Sequence, residues 1–163
     1  MTTSFDTQVT ALGLVLPAPP KPVATYIPVV QADDLLFLSG MIPLRDGVLM
    51  TKGTLGKEVS VEEGYEAARI CLLNALAVIR QHVGTLDRVK QIVRMVGYVA
   101  STQEFVQQPA VINGASDLLV KIFGDAGRHA RVAIGAAALP LNAPVEIELI
   151  IQVSASSLSP SRS

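Results

Sequence analysis

The stretch from Gly127 to Val153 constrains the fold more than any other part of the chain. It reads Gly-Arg-His-Ala-Arg-Val-Ala-Ile-Gly-Ala-Ala-Ala-Leu-Pro-Leu-Asn-Ala-Pro-Val-Glu-Ile-Glu-Leu-Ile-Ile-Gln-Val. Two β-rich runs flank a Pro/Asn turn, which is the signal of a β-hairpin. Strand side chains alternate between faces, so Arg131, Ala133 and Gly135 share one face, and Val132 and Ile134 the other. In the second run Val145, Ile147, Leu149 and Ile151 form an apolar face, with Glu146 and Glu148 pointing the opposite way. This pattern fits a sheet with one wet face. It also fits a binding floor. A guanidinium among small residues leaves room for a small carboxylate, whose two oxygens match the planar fork of arginine.

A hairpin turn centred near Leu141 and Asn142 sets an expected register. Arg131 then lies opposite roughly Gln152 and Glu146 opposite roughly Ala137, about six residues or on the order of 20 Å apart. One subunit does not place both in one small pocket at that distance, so cooperation between them calls for a site between subunits.

The rest of the chain supplies the layers around this stretch. Ser4 to Leu12 is expected to form a short helix, with Ser4 as N-cap, Phe5, Val9 and Leu12 on one face, and Gly13 as the stop. Leu14 to Pro22 holds four prolines and reads as an extended tether. Tyr26 to Val30 is a first expected strand and Leu35 to Ser39 a second, apolar enough to be buried on both faces. The second strand ends in Ser39-Gly40-Met41-Ile42-Pro43, where the backbone can kink and leave a hydroxyl accessible, or simply turn. Arg45 to Gly56 reads as a loop. Ser60-Val-Glu-Glu63 is a capping box that opens a long helix with Val61, Tyr65, Ala68, Leu72, Leu76, Ile79 and Val83 as its apolar stripe, closed by Gly84. Val89 to Ala100 is a strand. Pro109 suits the first turn of a second helix that runs to about Phe123 and stops at Gly124. Asn113 near its start is either a solvent-facing polar residue or a donor into a cleft. The order is ββ, helix, β, helix, ββ, an α+β layer with both helices on one face of a mixed sheet. The face left bare needs other cover, and self-association is the simplest.

Composition narrows the function classes. The 163 residues suffice for one domain with a core, and half of them are hydrophobic while only 17% are charged. Burial against copies of the same chain is therefore expected. A net charge of −1 with no basic stripe argues against extended nucleic-acid binding. No apolar run reaches membrane-spanning length, and the first residues lack the basic and apolar order of a signal peptide, so the expected location is the cytoplasm. The lone Cys71 reads as a small core residue. No Gly-rich phosphate loop, His/Cys metal spacing or Gly-x-Ser-x-Gly motif is present. His82 suits a helix C-terminus, while His129 sits between two arginines and either lines a cleft or serves the structure.

Taken together, Tyr26, the phrase Leu-Phe-Leu-Ser39-Gly40-Met-Ile-Pro, Ala-Arg131 leading to Leu-Pro140, and Val-Glu146-Ile-Glu resemble the Rid family. These are the reactive intermediate deaminases, also called YjgF or L-PSP endoribonuclease-like proteins. The separations agree, with thirteen residues from Tyr26 to Ser39, nine from Arg131 to Pro140 and fifteen from Arg131 to Glu146. The resemblance covers about residues 26–153, leaving an N-terminal extension of 1–25 and an expected disordered tail of 154–163. It implies a chorismate-mutase-like α+β fold and a homotrimer with clefts between subunits. Its implied activity is hydrolysis of 2-imino or 2-enamino acids to 2-keto acids and ammonia, without metal or organic cofactor. Arg131 would hold the substrate carboxylate and Glu146 would position or activate water. Tyr26, Ser39 and Gly40 would line the cleft from the subunit that carries Glu146, and Asn113 would correspond to a cleft asparagine. Ala133 stands where family deaminases often carry cysteine, and its backbone carbonyl could still bind water. Arg128 and His129 add positive character beside the cleft. The alternative functions are a non-catalytic trimeric module for a small carboxylate metabolite and, less in keeping with the charge, an endoribonuclease.

Overall fold

A computed structural model describes residues 4–19 and 25–154 of the chain. Beyond Ser154, the expected tail lies outside the described residues, as does the end of the tether at 20–22. The strands are β1 (Val29–Ala32), β2 (Leu35–Leu38), β3 (Leu44–Arg45), β4 (Val48–Leu49), β5 (Val89–Ala100), β6 (Ala130–Ala136) and β7 (Val145–Val153). The helices are α1 (Phe5–Ala11), α2 (Val61–Val83) and α3 (Gln108–Phe123). Five strands form one mixed sheet in the order β1-β2-β7-β5-β6, and β3 and β4 pair as a separate ribbon.

The helix ends follow from their capping chemistry. The Ser60 hydroxyl accepts from the Glu63 N–H at 3.2 Å, and the Glu63 carboxylate accepts from the Ser60 N–H at 2.8 Å. Gly84, at φ +88°, closes α2 in a conformation that glycine adopts without a Cβ penalty. The two helices lie close because Gly114 faces the Tyr65 backbone. A Cβ there would overlap the Tyr65 carbonyl oxygen. Leu36, Leu38, Met95, Ile147, Leu149 and Ile151 of the sheet meet Leu72, Leu76, Ile79, Ile112 and Leu119 of the helices in one buried core, with Cys71 inside it.

The expected hairpin does not form. β5 lies between β6 and β7, parallel to the first and antiparallel to the second. The Pro/Asn turn is real, with Leu141 and Asn142 at φ 57° and 63°. It arches over the end of β5, tied down by Ala100 N–H to Pro144 O at 2.9 Å and Gly53 N–H to Asn142 O at 3.0 Å. Turn residues set where the chain reverses. They do not decide which strand fills the gap, and here β5 fills it because α3 serves as the crossover that a parallel β5–β6 pair requires.

Three smaller expectations change as well. The first strand begins at Val29, downstream of Tyr26. β2 is buried on one face only, since Leu36 and Leu38 are covered while Phe37 is 41% exposed. Both helices pack on the other side of the sheet, so the alternate residues have no cover among the described residues. The 45–56 segment is not all loop. Asp46 and Gly47, both at positive φ, turn the β3–β4 ribbon, as an Asp-Gly pair favours. The bare face carries Val30, Phe37, Val132 and Ile134, which are 37–52% exposed. Among the described residues, no helix is long and apolar enough to cross a membrane.

The N-terminal helix docks by reciprocal capping. The Asp87 carboxylate accepts from the Ser4 hydroxyl at 2.7 Å and the Phe5 N–H at 2.5 Å, at the start of α1. In return the Asp6 carboxylate accepts from the Thr85 hydroxyl at 2.6 Å and the Leu86 N–H at 3.0 Å, at the start of the 3-10 turn Leu86–Arg88. Phe5 meets Phe123 edge-on, with centroids 4.8 Å apart, and Val9 is buried. The Ser4 hydroxyl holds the Asp87 carboxyl below its usual range against desolvation, with the backbone N–H of Phe5 adding a smaller effect in the same direction as Ser4. A carboxyl lowered in this way stabilises the fold above its ordinary titration range and loses that contribution as the pH falls through its lowered value. We therefore expect Asp87→Ala to cost about 1 kcal/mol at neutral pH, a capping loss, or about 3 °C in Tm for a chain of this size. Thermal melts at about pH 7 and about pH 3 should show the difference shrinking on the acid side.

Candidate functional site

The sequence-predicted residues fall into two groups. The first surrounds Glu146. On β7 this residue pairs across from Tyr98, and with Glu148 it occupies the bare face of the sheet. β2 reaches it by a bulge. The pairing of Phe37 with Ile150 and the bridge of Met41 with Ile147 differ in register by one residue, so an extra residue is accommodated around Ser39 and Gly40. Met41 and Ile147 exchange backbone hydrogen bonds at 2.8 and 3.0 Å. The segment beyond is held from below by Asn74, a buried side chain whose Nδ2 donates to Leu44 O at 2.8 Å and lies 3.4 Å from Ile42 O.

This bulge lays Gly40 directly on the Glu146 carboxylate. A Cβ at residue 40 would overlap Glu146 Oε1, so the contact needs glycine. Ser39 donates its hydroxyl to Ile27 O at 2.7 Å, which ties down the segment carrying the exposed Tyr26. The Ser39 proton is therefore engaged, and the lone pairs of its oxygen are what it offers a ligand. Burial, and then the neighbouring Glu148, push the Glu146 pKa up. A half-buried carboxylate with a raised pKa is suited to exchange protons nearer neutral pH than a free one.

The second group lies along the β6 edge and the adjoining face of α3. Arg131 aligns with Met95, which in turn aligns with Leu149, and both of these face the helices. Arg131 therefore projects toward α3. Its Nη1 donates to Asn113 Oδ1 at 2.8 Å and to Ser116 Oγ at 3.0 Å. Both hydrogens of Nη1 are thereby used, and the Nε and Nη2 edge remains as a fork. Ala133 follows on the same face, half-buried at the sheet edge.

One chain does not bring the two groups together. From Leu149 to Glu146 is three residues, so Glu146 and Arg131 face opposite sides of the sheet. They are offset by about 10 Å along the strands and about 10 Å across two strand spacings. The expected Arg131–Gln152 register is replaced by this one, because β5 intervenes.

Two residues change role. His129 was expected to add positive character, yet desolvation lowers its pKa and outweighs the Gly127 carbonyl, which raises it, with Arg131 adding a smaller push downward. Its Nδ1 lies 2.7 Å from Gly127 O and its Nε2 3.1 Å from Ser116 Oγ. Arg128 is exposed and paired with Asp125 at 3.3 Å. Ser116 was missed altogether. A serine inside a helix reads as surface, but its i, i+3 spacing from Asn113 puts both on one face, which is the available signal. Asn113 is exposed, and its Oδ1 accepts from Arg131.

A test of the first group is Gly40→Ala. The added methyl should displace the Glu146 side chain toward solvent without unfolding the domain. A carboxyl-carbon NMR titration should then show the Glu146 pKa falling back toward the ordinary range.

Comparison with known proteins agrees with this architecture. Residues 6–153 match the family described as "YjgF/chorismate mutase-like, putative endoribonuclease". Protein TCP17 of Trypanosoma cruzi is 42% identical over 144 residues, spanning 87% of this chain and 89% of that protein. The crystal structure of Atu1372 from Agrobacterium tumefaciens superposes with a TM-score of 0.87 at 38% identity, covering 92% of each chain. YyfA of Yersinia pestis, of the Rid family, gives a TM-score of 0.62 at 25% identity over 83% of this chain and 93% of its own. With the family model spanning nearly the whole described fold, the chain belongs to the YjgF/Rid family.

Proposed function

We propose that the protein is a cofactor-independent enamine/imine deaminase working in the cytoplasm as a homotrimer, with each active site built from two subunits. The observation that carries this reading is the state of Arg131. Its Nη1 is committed to Asn113 and Ser116, and its outer edge faces the open side of α3 and β6 as a fork for a carboxylate. The bare sheet face, with Val30, Phe37, Val132 and Ile134 exposed, supports assembly with copies of itself. Such assembly is the way for Glu146, Gly40, Ser39 and Tyr26 of one chain to meet Arg131, Asn113 and Ala133 of another.

In this site Arg131 holds the carboxylate of a 2-imino acid, fixing the imine carbon. Glu146, as carboxylate, accepts a proton from water as the water oxygen bonds to that carbon. The imine π pair moves to nitrogen, which takes that proton back from Glu146. The hydroxyl of the carbinolamine then passes its own proton by way of Glu146 to nitrogen, the C–N bond breaks, and ammonia leaves as the C=O of the 2-keto acid forms. The backbone of Ala133 offers a further place for the water. A second reading, a trimeric module that binds a small carboxylate without turnover, uses the same arginine and gives Glu146 no proton to move.

Release of keto acid from freshly generated 2-iminopropionate separates the two. Arg131→Ala should reduce turnover to background while the assembly stays intact. Glu146→Gln should lower the rate by at least about 100-fold, the usual contribution of general-base catalysis. Because Glu146 must be ionised and its pKa is raised, the rate should begin to fall on acidification at a higher pH than for an ordinary carboxylate. Background turnover in a folded parent protein would leave the binding module as the better reading.

A further inference from the structure

We propose that Ser116 and His129 are positioning residues for Arg131, acting as a hydrogen-bonded chain anchored on a backbone carbonyl. The chain starts at Gly127 O and runs through His129 Nδ1 at 2.7 Å, His129 Nε2 to Ser116 Oγ at 3.1 Å, and Ser116 Oγ to Arg131 Nη1 at 3.0 Å. With the ring neutral, its two ends settle every proton between them. A backbone carbonyl only accepts, so Nδ1 carries the ring hydrogen. A guanidinium only donates, so Ser116 Oγ accepts from Arg131. The single hydroxyl proton of Ser116 is left to point at His129 Nε2, which is bare in that tautomer. This arrangement is that of the neutral imidazole, since an imidazolium would donate from Nε2 and turn the hydroxyl proton away from the ring. Desolvation of the half-buried ring, with Arg131 close by, favours that form.

The geometry also gives the chain a task. A hydroxyl free to rotate would accept from Arg131 in many orientations. One whose proton is held by His129 presents its lone pairs toward Nη1 in a fixed direction. Asn113 Oδ1, 2.8 Å from the same nitrogen, takes its other hydrogen. Rotation about the Cζ–Nη1 bond is thereby blocked, and the plane of the guanidinium is set by three side chains. The residues arise from two faces in register. Asn113 and Ser116 are i, i+3 on α3, and His129 and Arg131 are i, i+2 where β6 begins. The consequence for ligand selection rests on the carboxylate-clamp reading of Arg131. A fork with a fixed plane discriminates a carboxylate from its amide more sharply than a mobile one.

Nitrogen-15 NMR of the arginine side chains of the full-length protein tests the positioning directly, and titration with pyruvate and pyruvamide tests its consequence. In the parent protein and in Ser116→Thr, which keeps the hydroxyl, rotation about the Arg131 Cζ–Nη1 bond should be slow. Ser116→Ala and His129→Phe, which keeps the ring and removes its nitrogens, should speed rotation by about tenfold, the scale of one lost hydrogen bond to a charged group. The same two variants should bind pyruvate about tenfold more weakly with little change for pyruvamide. Equal rotation rates in all four proteins would overturn the proposal, whatever pyruvate does. Altered rotation in a parent whose pyruvate binding is indifferent to Arg131→Ala would uphold the positioning and remove the clamp reading instead.

Discussion

Two helices cover one face of a five-stranded sheet, and nearly everything notable about this chain follows from the face they leave bare. Strand alternation makes that inequality strict. On β7 the residues Val145, Ile147, Leu149 and Ile151 are buried beneath the helices, which obliges Glu146 and Glu148 to lie on the bare side. On β6 the same rule sends Arg131 toward the helices, where Asn113 and Ser116 receive it. A carboxylate and a guanidinium on one short stretch of sequence are thus separated by the thickness of the sheet. Hydrophobic area on the bare side and a divided set of polar groups are two results of a single packing decision.

Much of this was legible in the chain. The capping box at Ser60, the stop at Gly84, Pro109 at the start of α3 and the alternation of β6 and β7 all rest on local chemistry, and all appear in the structure. The kink expected at Ser39-Gly40 is the bulge that meets Glu146. What local chemistry does not carry is adjacency. The Pro/Asn turn reads as a hairpin because nothing within 127–153 records that β5, thirty residues upstream, will insert between the two runs. β2 reads as doubly buried because an apolar run does not say whether a second layer exists to cover it. Ser116 was invisible for a related reason. Its importance comes from His129 and Arg131, which only the fold brings beside it.

The hydrogen-bonded polar residues divide between holding the fold and holding the site. Asn74 fixes the segment after Gly40, and Asp6 with Asp87 fixes α1 to the 3-10 turn. The group at Arg131 is of another kind, since its members order a charged side chain and leave part of that side chain unspent. A purely structural network tends to satisfy every donor it contains. The guanidinium edge left over at Arg131 is not a buried unpaired group, so it costs the fold little and stays open to a ligand.

The bulge at Ser39 and Gly40 has a bearing on how this sequence can vary. Leu36 and Leu38 face the core, and Met41, an odd number of residues further on, faces it too. The extra residue absorbs the difference. Were the chain one residue shorter there, regular alternation alone would bring Met41 to the core and opposite Ile147, and only the bulged backbone beside Glu146 would be lost. Loss of one residue here would therefore be read by the carboxylate and not by the core, so the extra residue serves the surroundings of Glu146.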